Sequence, residues 1–60
     1  MKWIEVTTIS TDSGDLKARI TGLVESKKKP YKEPEIKNEN DSIYDYFRTR
    51  KQAEEFIRGT

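Results

Sequence analysis

Apolar residues fall into three clusters separated by polar chain. The first holds Trp3, Ile4, Val6 and Ile9; the second Leu16, Ala18, Ile20, Leu23 and Val24; the third Ile43, Tyr44, Tyr46, Phe47, Ala53, Phe56 and Ile57. Residues 3–9 predict a strand, because Trp, Ile, Val and Thr suit a pleated surface. The β-branched run Val6-Thr7-Thr8-Ile9 makes a poor helix, since these side chains lose χ1 freedom there. Asp12-Ser13-Gly14-Asp15 then supplies turn chemistry, with Gly14 free to take a positive φ, and predicts a hairpin. Over 16–25, Leu16, Ala18, Ile20, Gly22 and Val24 alternate with polar positions, and only Leu23 breaks the pattern. The rival is a helix with Leu16, Ile20, Leu23 and Val24 on one face, in which Gly22 costs about 1 kcal/mol relative to Ala. The preceding turn favours the antiparallel strand.

Residues 26–41 form a long polar stretch with both prolines, Pro30 and Pro34, and only Tyr31 and Ile36 as sizeable apolar groups. Lys27-Lys28-Lys29-Pro30-Tyr31-Lys32 carries four positive charges. Glu33, Glu35, Glu39 and Asp41 against Lys37 leave a net −3 on the segment that follows. A loop this long in so small a domain is expected to be either disordered or functional.

The last cluster has two readings. In the preferred one, Ser42–Arg48 is a third strand and Thr49-x-x-Gln52 is the capping box of a helix over 50–58. Ala53, Phe56 and Ile57 form its apolar face, and Gly59 stands where a C′ glycine belongs. In the other, a single helix runs over 42–58 from a Ser42-x-x-Asp45 box. The expected fold is therefore α+β: an antiparallel hairpin or three-stranded sheet with one C-terminal helix, in one domain over 1–60. The alternative is a hairpin followed by the longer helix.

Composition narrows the chemistry. The 60 residues are 32% apolar and 38% charged, against about 45–50% and ~25% in ordinary globular domains on a count that includes Gly. A sparse core follows, or packing against a partner. There is no cysteine and no histidine. Disulfides and thiolate metal sites are excluded, and zinc loses its commonest ligands. No cofactor is expected. Met1–Glu5 has no apolar h-region, and no apolar run approaches the ~18 residues of a membrane span. A cytoplasmic protein that does not engage membranes is expected.

Candidate catalytic groups are few. Ser10, Ser13, Ser26 and Ser42 sit in turn or cap contexts and are read as turn formers. A carboxylate pair would need a water-excluded pocket, which so short a chain has little material to enclose. The expectation is a protein that is not an enzyme. Asn38-Glu39-Asn40-Asp41-Ser42 and Asp45 offer oxygens for calcium. Counted from Asn38, however, Ile43 and Thr49 occupy the places of the EF-hand Gly and Glu.

Anion binding is the better candidate. Lys27, Lys28, Lys29 and Lys32 surround Tyr31, and Arg48, Arg50 and Lys51 flank the start of the last helix, where backbone N–H groups and cations attract anions. The bland alternative is a solvated helix face with Arg50–Glu54 and Lys51–Glu55 pairs. Twelve basic against eleven acidic residues give a net charge of +1, whereas dedicated DNA binders are markedly basic.

The run Phe47-Arg48-Thr49-Arg50-Lys51-Gln52-Ala53 resembles the F-x-T-[KR]-x-[EQ]-A segment that closes the arm-type DNA-binding domains of tyrosine recombinases. The resemblance implies a three-stranded antiparallel sheet with a C-terminal helix, in which the sheet enters the DNA groove. Here the first strand carries Glu5 and threonines rather than a basic row.

Two functions are carried forward. The first is a binding module that acts as a regulator or inhibitor of a larger protein partner. The second is a nucleic-acid accessory module that contacts phosphates through Lys27–Lys29 and Arg48, Arg50 and Lys51. A homodimer that completes its core through a sheet edge or the last helix is compatible with either.

Overall fold

The structure, a computed structural model, describes residues 1–37 and 40–59, with Lys37 described through its backbone only. Four strands, β1 (Lys2–Ser10), β2 (Leu16–Glu25), β3 (Glu35–Lys37) and β4 (Asn40–Phe47), precede one helix, α1 (Arg50–Arg58). The strands form a single antiparallel sheet in the order β2-β1-β4-β3. The α+β class and the C-terminal helix agree with the sequence pattern. The third apolar cluster is a strand followed by a helix, so the single helix over 42–58 is not adopted.

The sheet has one more strand than the hydrophobic pattern reveals. Glu35-Ile36-Lys37 pairs with Asn40–Ser42, inside the stretch read as a loop over 26–41. Its apolar content is one isoleucine, and that side chain is exposed. Backbone pairing and polar contacts of Glu35 hold β3, and neither leaves a trace in a hydrophobic pattern. The connection proper is 26–34.

The β1–β2 turn is built as its residues dictate. Gly14 takes φ 87°, a left-handed value that favours glycine. The Gly14 amide donates to the Thr11 carbonyl at 2.9 Å, and the Asp15 amide donates to Thr11 Oγ1 at 3.2 Å. In β2 the register slips between Glu5 and Val6, which face Gly22 and Ile20 and leave Thr21 as the extra residue of a β-bulge. This slip explains why Leu23 breaks the alternation: beyond the bulge, Leu23 shares a face with Ile4, and Val24 crosses to join Trp3.

Strand parity defines two faces. Trp3, Glu5 and Thr7 lie on one with Tyr46 and Tyr44; Ile4, Val6 and Thr8 lie on the other with Phe47, Asp45 and Ile43. Helix α1 touches β1, β2 and β4, and Val6 and Ala53 are completely buried, so α1 packs on the Val6 face. Thr49 caps it, with the Gln52 amide donating to Thr49 Oγ1 at 3.1 Å and the Arg48 amide donating to Gln52 Oε1 at 3.3 Å. Phe56 leans on Phe47, ring centres 5.1 Å apart. Gly59 ends the helix at φ −83° rather than in a left-handed C′ conformation.

Among the described residues the buried apolar set is only Val6, Tyr46 and Ala53, joined by the polar Thr7, Thr8 and Ser42. Removing two methyl-sized groups with Val6→Ala should cost about 2 kcal/mol, at ~0.8 kcal/mol per buried CH₂ plus a cavity term. That is a large part of the ~3–9 kcal/mol expected of 60 residues. Urea unfolding followed by Trp3 fluorescence measures it. Thr8 Oγ1 is buried without a hydrogen-bond partner among the described residues. Thr8→Val should therefore raise stability by about 1 kcal/mol in the same assay.

Candidate functional site

Strands β2 and β3 lie on opposite edges of the sheet. The connection 26–34 therefore has to cross from one edge to the other, and it does so over the Trp3–Tyr46 face. It is anchored at its start: the Ser26 amide donates to the Met1 carbonyl at 2.9 Å, and Trp3 Nε1 donates to the Ser26 carbonyl at 3.1 Å. Further along, Lys32 Nζ lies 4.4 Å from the centre of the Tyr44 ring and 3.6 Å from Glu35 Oε1. The Tyr44 hydroxyl donates to that same oxygen at 3.4 Å.

Beneath this strap the sheet face is polar and satisfied. The Tyr46 hydroxyl donates to Glu5 Oε2 at 3.0 Å, and Thr21 Oγ1 donates to Glu5 Oε1 at 2.7 Å. Thr7 Oγ1 lies 2.8 Å from Thr21 Oγ1 and completes the chain of contacts. Strand alternation puts Thr21 on the Glu5 face after Arg19, and the bulge leaves it opposite Glu5 together with Gly22. Burial, reinforced by the hydrogen bond and the negative charge of Glu5, pushes the Tyr46 phenol up to about 12.

An open groove of about 560 Å³ lies where the strap, the end of β4 and the first turns of α1 meet. Lys29 lines it from the strap, Tyr46, Phe47 and Arg48 from β4 and its end, and Gln52, Glu55 and Phe56 from the helix, with Trp3 beneath. The Arg48 guanidinium carbon sits 5.2 Å from the centre of the Trp3 ring, and Nη1 reaches to 3.2 Å from Met1 Sδ. Among the described residues neither Lys29 nor Arg48 has a carboxylate within ion-pair distance.

The structure thus brings some predicted site residues together and leaves others apart. Lys29 and Arg48, nineteen positions apart in the chain (48 − 29), line one groove. Lys27 and Lys28 are exposed just past β2, beside the Met1 end of the sheet. Tyr31 projects into solvent, 80% exposed. Arg50 is engaged with Glu54 at 3.1 Å, as the i,i+4 spacing predicts, whereas Lys51 has no ion pair among the described residues. No acidic residue occupies the first turn of α1, so Arg50 and Lys51 oppose the helix dipole there, with Arg50 offset by Glu54.

Sequence reasoning missed Glu5 as the hub of the polar network and missed Trp3, Phe47, Gln52, Glu55 and Phe56 as groove walls. The shared parity of Trp3 and Glu5 was the available signal for the first; nothing local signals the second. Of the calcium candidate, Asn38 and Glu39 lie outside the described residues. Among those described, no group of three His, Cys, Asp or Glu residues could hold a metal ion, and no helix is long and apolar enough to cross a membrane.

No protein-family model, curated protein or solved structure matches the chain.

Alkaline titration tests the network. Phenol absorbance should show a step near pH 12 that Tyr46→Phe removes. Because the folded phenol holds its proton above its ordinary value near 10, its contribution to stability is complete below about pH 10 and is lost as pH rises toward 12. Denaturation midpoints should fall more steeply across that window in the wild type than in Tyr46→Phe.

Proposed function

We propose that the chain is a non-catalytic protein-binding module whose contact surface is the groove around Tyr46, Phe47 and Arg48, and that it regulates or inhibits a larger partner. One observation carries this reading: the aromatic rings at the groove and beneath the strap are already engaged by the protein's own groups, and the exposed Tyr31 ring stands outside the groove. Arg48 covers Trp3, Lys32 covers Tyr44, and Phe47 and Phe56 lean on each other. A nucleic-acid site of this kind would need free aromatic faces on which bases stack. What this groove offers instead is two cations without carboxylate partners, apolar ring edges and the end of a strand, which suits a polypeptide.

Among the described residues the sheet also lacks an open basic face of the kind the recombinase resemblance implies. One face is crossed by the strap and carries the Glu5 network; the other is packed by α1. Self-association through the sheet edges is opposed by local features. Strand β2 bears Lys17 and Arg19 and a bulge, and β3 is only three residues long; all of these blunt edge pairing.

The second reading, phosphate contact, draws on the cations gathered at the Met1 end of the sheet: Lys2, Lys27, Lys28, Lys29, Arg48, Arg50 and Lys51. The two readings part in one experiment. Wild-type chain and variants are immobilised, and captured host protein is quantified with and without nuclease. Arg48→Glu should lower capture at least tenfold, equivalent to ~1.4 kcal/mol, whereas Lys27→Ala with Lys28→Ala should change it little. Capture that disappears with nuclease, together with salt-sensitive binding of a random DNA duplex, would replace the protein reading with the phosphate one.

A further inference from the structure

The ladder on the outer side of β4 stops early. Strand β3 pairs with Asn40, Asp41 and Ser42 and no further, although β4 continues to Phe47. The pairing ends at Glu35, and the residue before it is Pro34. From there the chain leaves the edge of β4 and passes over the sheet face, where Lys32 meets the Tyr44 ring. Residues 43–47 of β4 therefore have a ladder partner on the β1 side alone among the described residues. The groove lies at the Tyr46–Arg48 end of this segment.

We infer that this edge of β4 takes an extended acidic peptide as an added strand, continuing the line of β3 and pairing with residues 43–47. This rests on the protein-binding reading above and specifies its partner. The walls of the groove differ in chemistry, and a strand presents alternate side chains to opposite sides. On the strap side stand Lys29 and Arg48, neither with a carboxylate partner among the described residues, and Lys32 lies outside the groove, over the Tyr44 ring. On the helix side stand the Phe47–Phe56 pair, Gln52 and Glu55. The matching peptide carries carboxylates at one set of alternate positions, facing the strap, and apolar side chains at the other, facing the rings. Glu55 disfavours a second acidic row on the helix side. Main-chain hydrogen bonds supply affinity, and the two unlike walls supply direction and register.

The test uses the full chain. A display library of short random peptides is panned against it, and the enriched peptide is titrated into ¹⁵N-labelled protein while amide hydrogen exchange is followed. Alternating acidic and apolar positions are expected, with shifted and more slowly exchanging amides over residues 43–47. Arg48→Glu and Lys29→Glu should each weaken binding at least tenfold. The second variant guards against misfolding of the first, because Lys29 makes no ion pair among the described residues. Backbone N-methylation of the peptide at alternate positions should abolish binding in one register and spare it in the other. Enriched peptides that protect β2 instead, or that tolerate N-methylation throughout, overturn strand addition at β4 and leave the protein-binding reading standing. No enrichment, alongside Arg48-dependent capture of host protein, likewise overturns strand addition alone. No enrichment and no such capture overturn both.

Discussion

The order of the strands imposes one crossing on which the rest of the molecule depends. Because β2 and β3 occupy opposite edges, the chain between them must span the width of the sheet, about three strand spacings of ~4.8 Å. Nine residues, 26–34, can reach roughly 30 Å when extended, so the crossing is made with slack. That slack lets the strap run obliquely, from Trp3 at one end of the sheet to Tyr44 near the start of β3. A polar, lysine-rich segment that would otherwise be an unattached loop thereby becomes the roof of one sheet face. It also carries Lys29 to the groove and places Lys32 on Tyr44.

A roof made of lysines and prolines cannot seal an apolar face, and the face below it is built accordingly. Glu5 accepts from Tyr46 and Thr21, and Thr7 joins through Thr21. These contacts satisfy groups whose burial would otherwise cost free energy. The completely buried apolar side chains, Val6 and Ala53, lie on the other face, sealed beneath the helix. The low apolar content of the chain is thus divided unevenly: one face works as a small core, the other as a hydrogen-bonded layer. The bulge at Thr21 links the two solutions. It lets Leu23 keep to the Val6 face with Ile20, while Val24 joins Thr21 on the Glu5 face.

At the groove the same economy shapes the electrostatics. Arg48 and Lys32 spend their cationic faces on Trp3 and Tyr44, contacts worth about 0.5–1 kcal/mol each at exposed sites. These contacts orient the side chains without neutralising them. Arg48 keeps its full charge, held in place beside Lys29. Positive charge is therefore preorganised next to an apolar wall, and it is more specific than a solvated lysine run of equal charge would be.

Much of this was legible in the residues themselves. The first strand, the Gly14 turn, the Thr49 cap and the helix over 50–58 follow from β-branched content, turn chemistry and capping chemistry, which act within a few residues of one another. Even the bulge left its mark, as the position where Leu23 departs from alternation. Tertiary structure alone decided three things. It placed β3, whose pairing is a backbone matter that side-chain polarity does not record. It placed β4 between β1 and β3 and so forced the crossing of the strap. And it joined Lys29 to Arg48, Trp3 and Phe56, because a site assembled from a strap, a strand end and a helix has no spacing in the chain that signals it. Local chemistry selects elements, whereas the order in which strands pair is settled by which faces can be buried and how far the connections can reach.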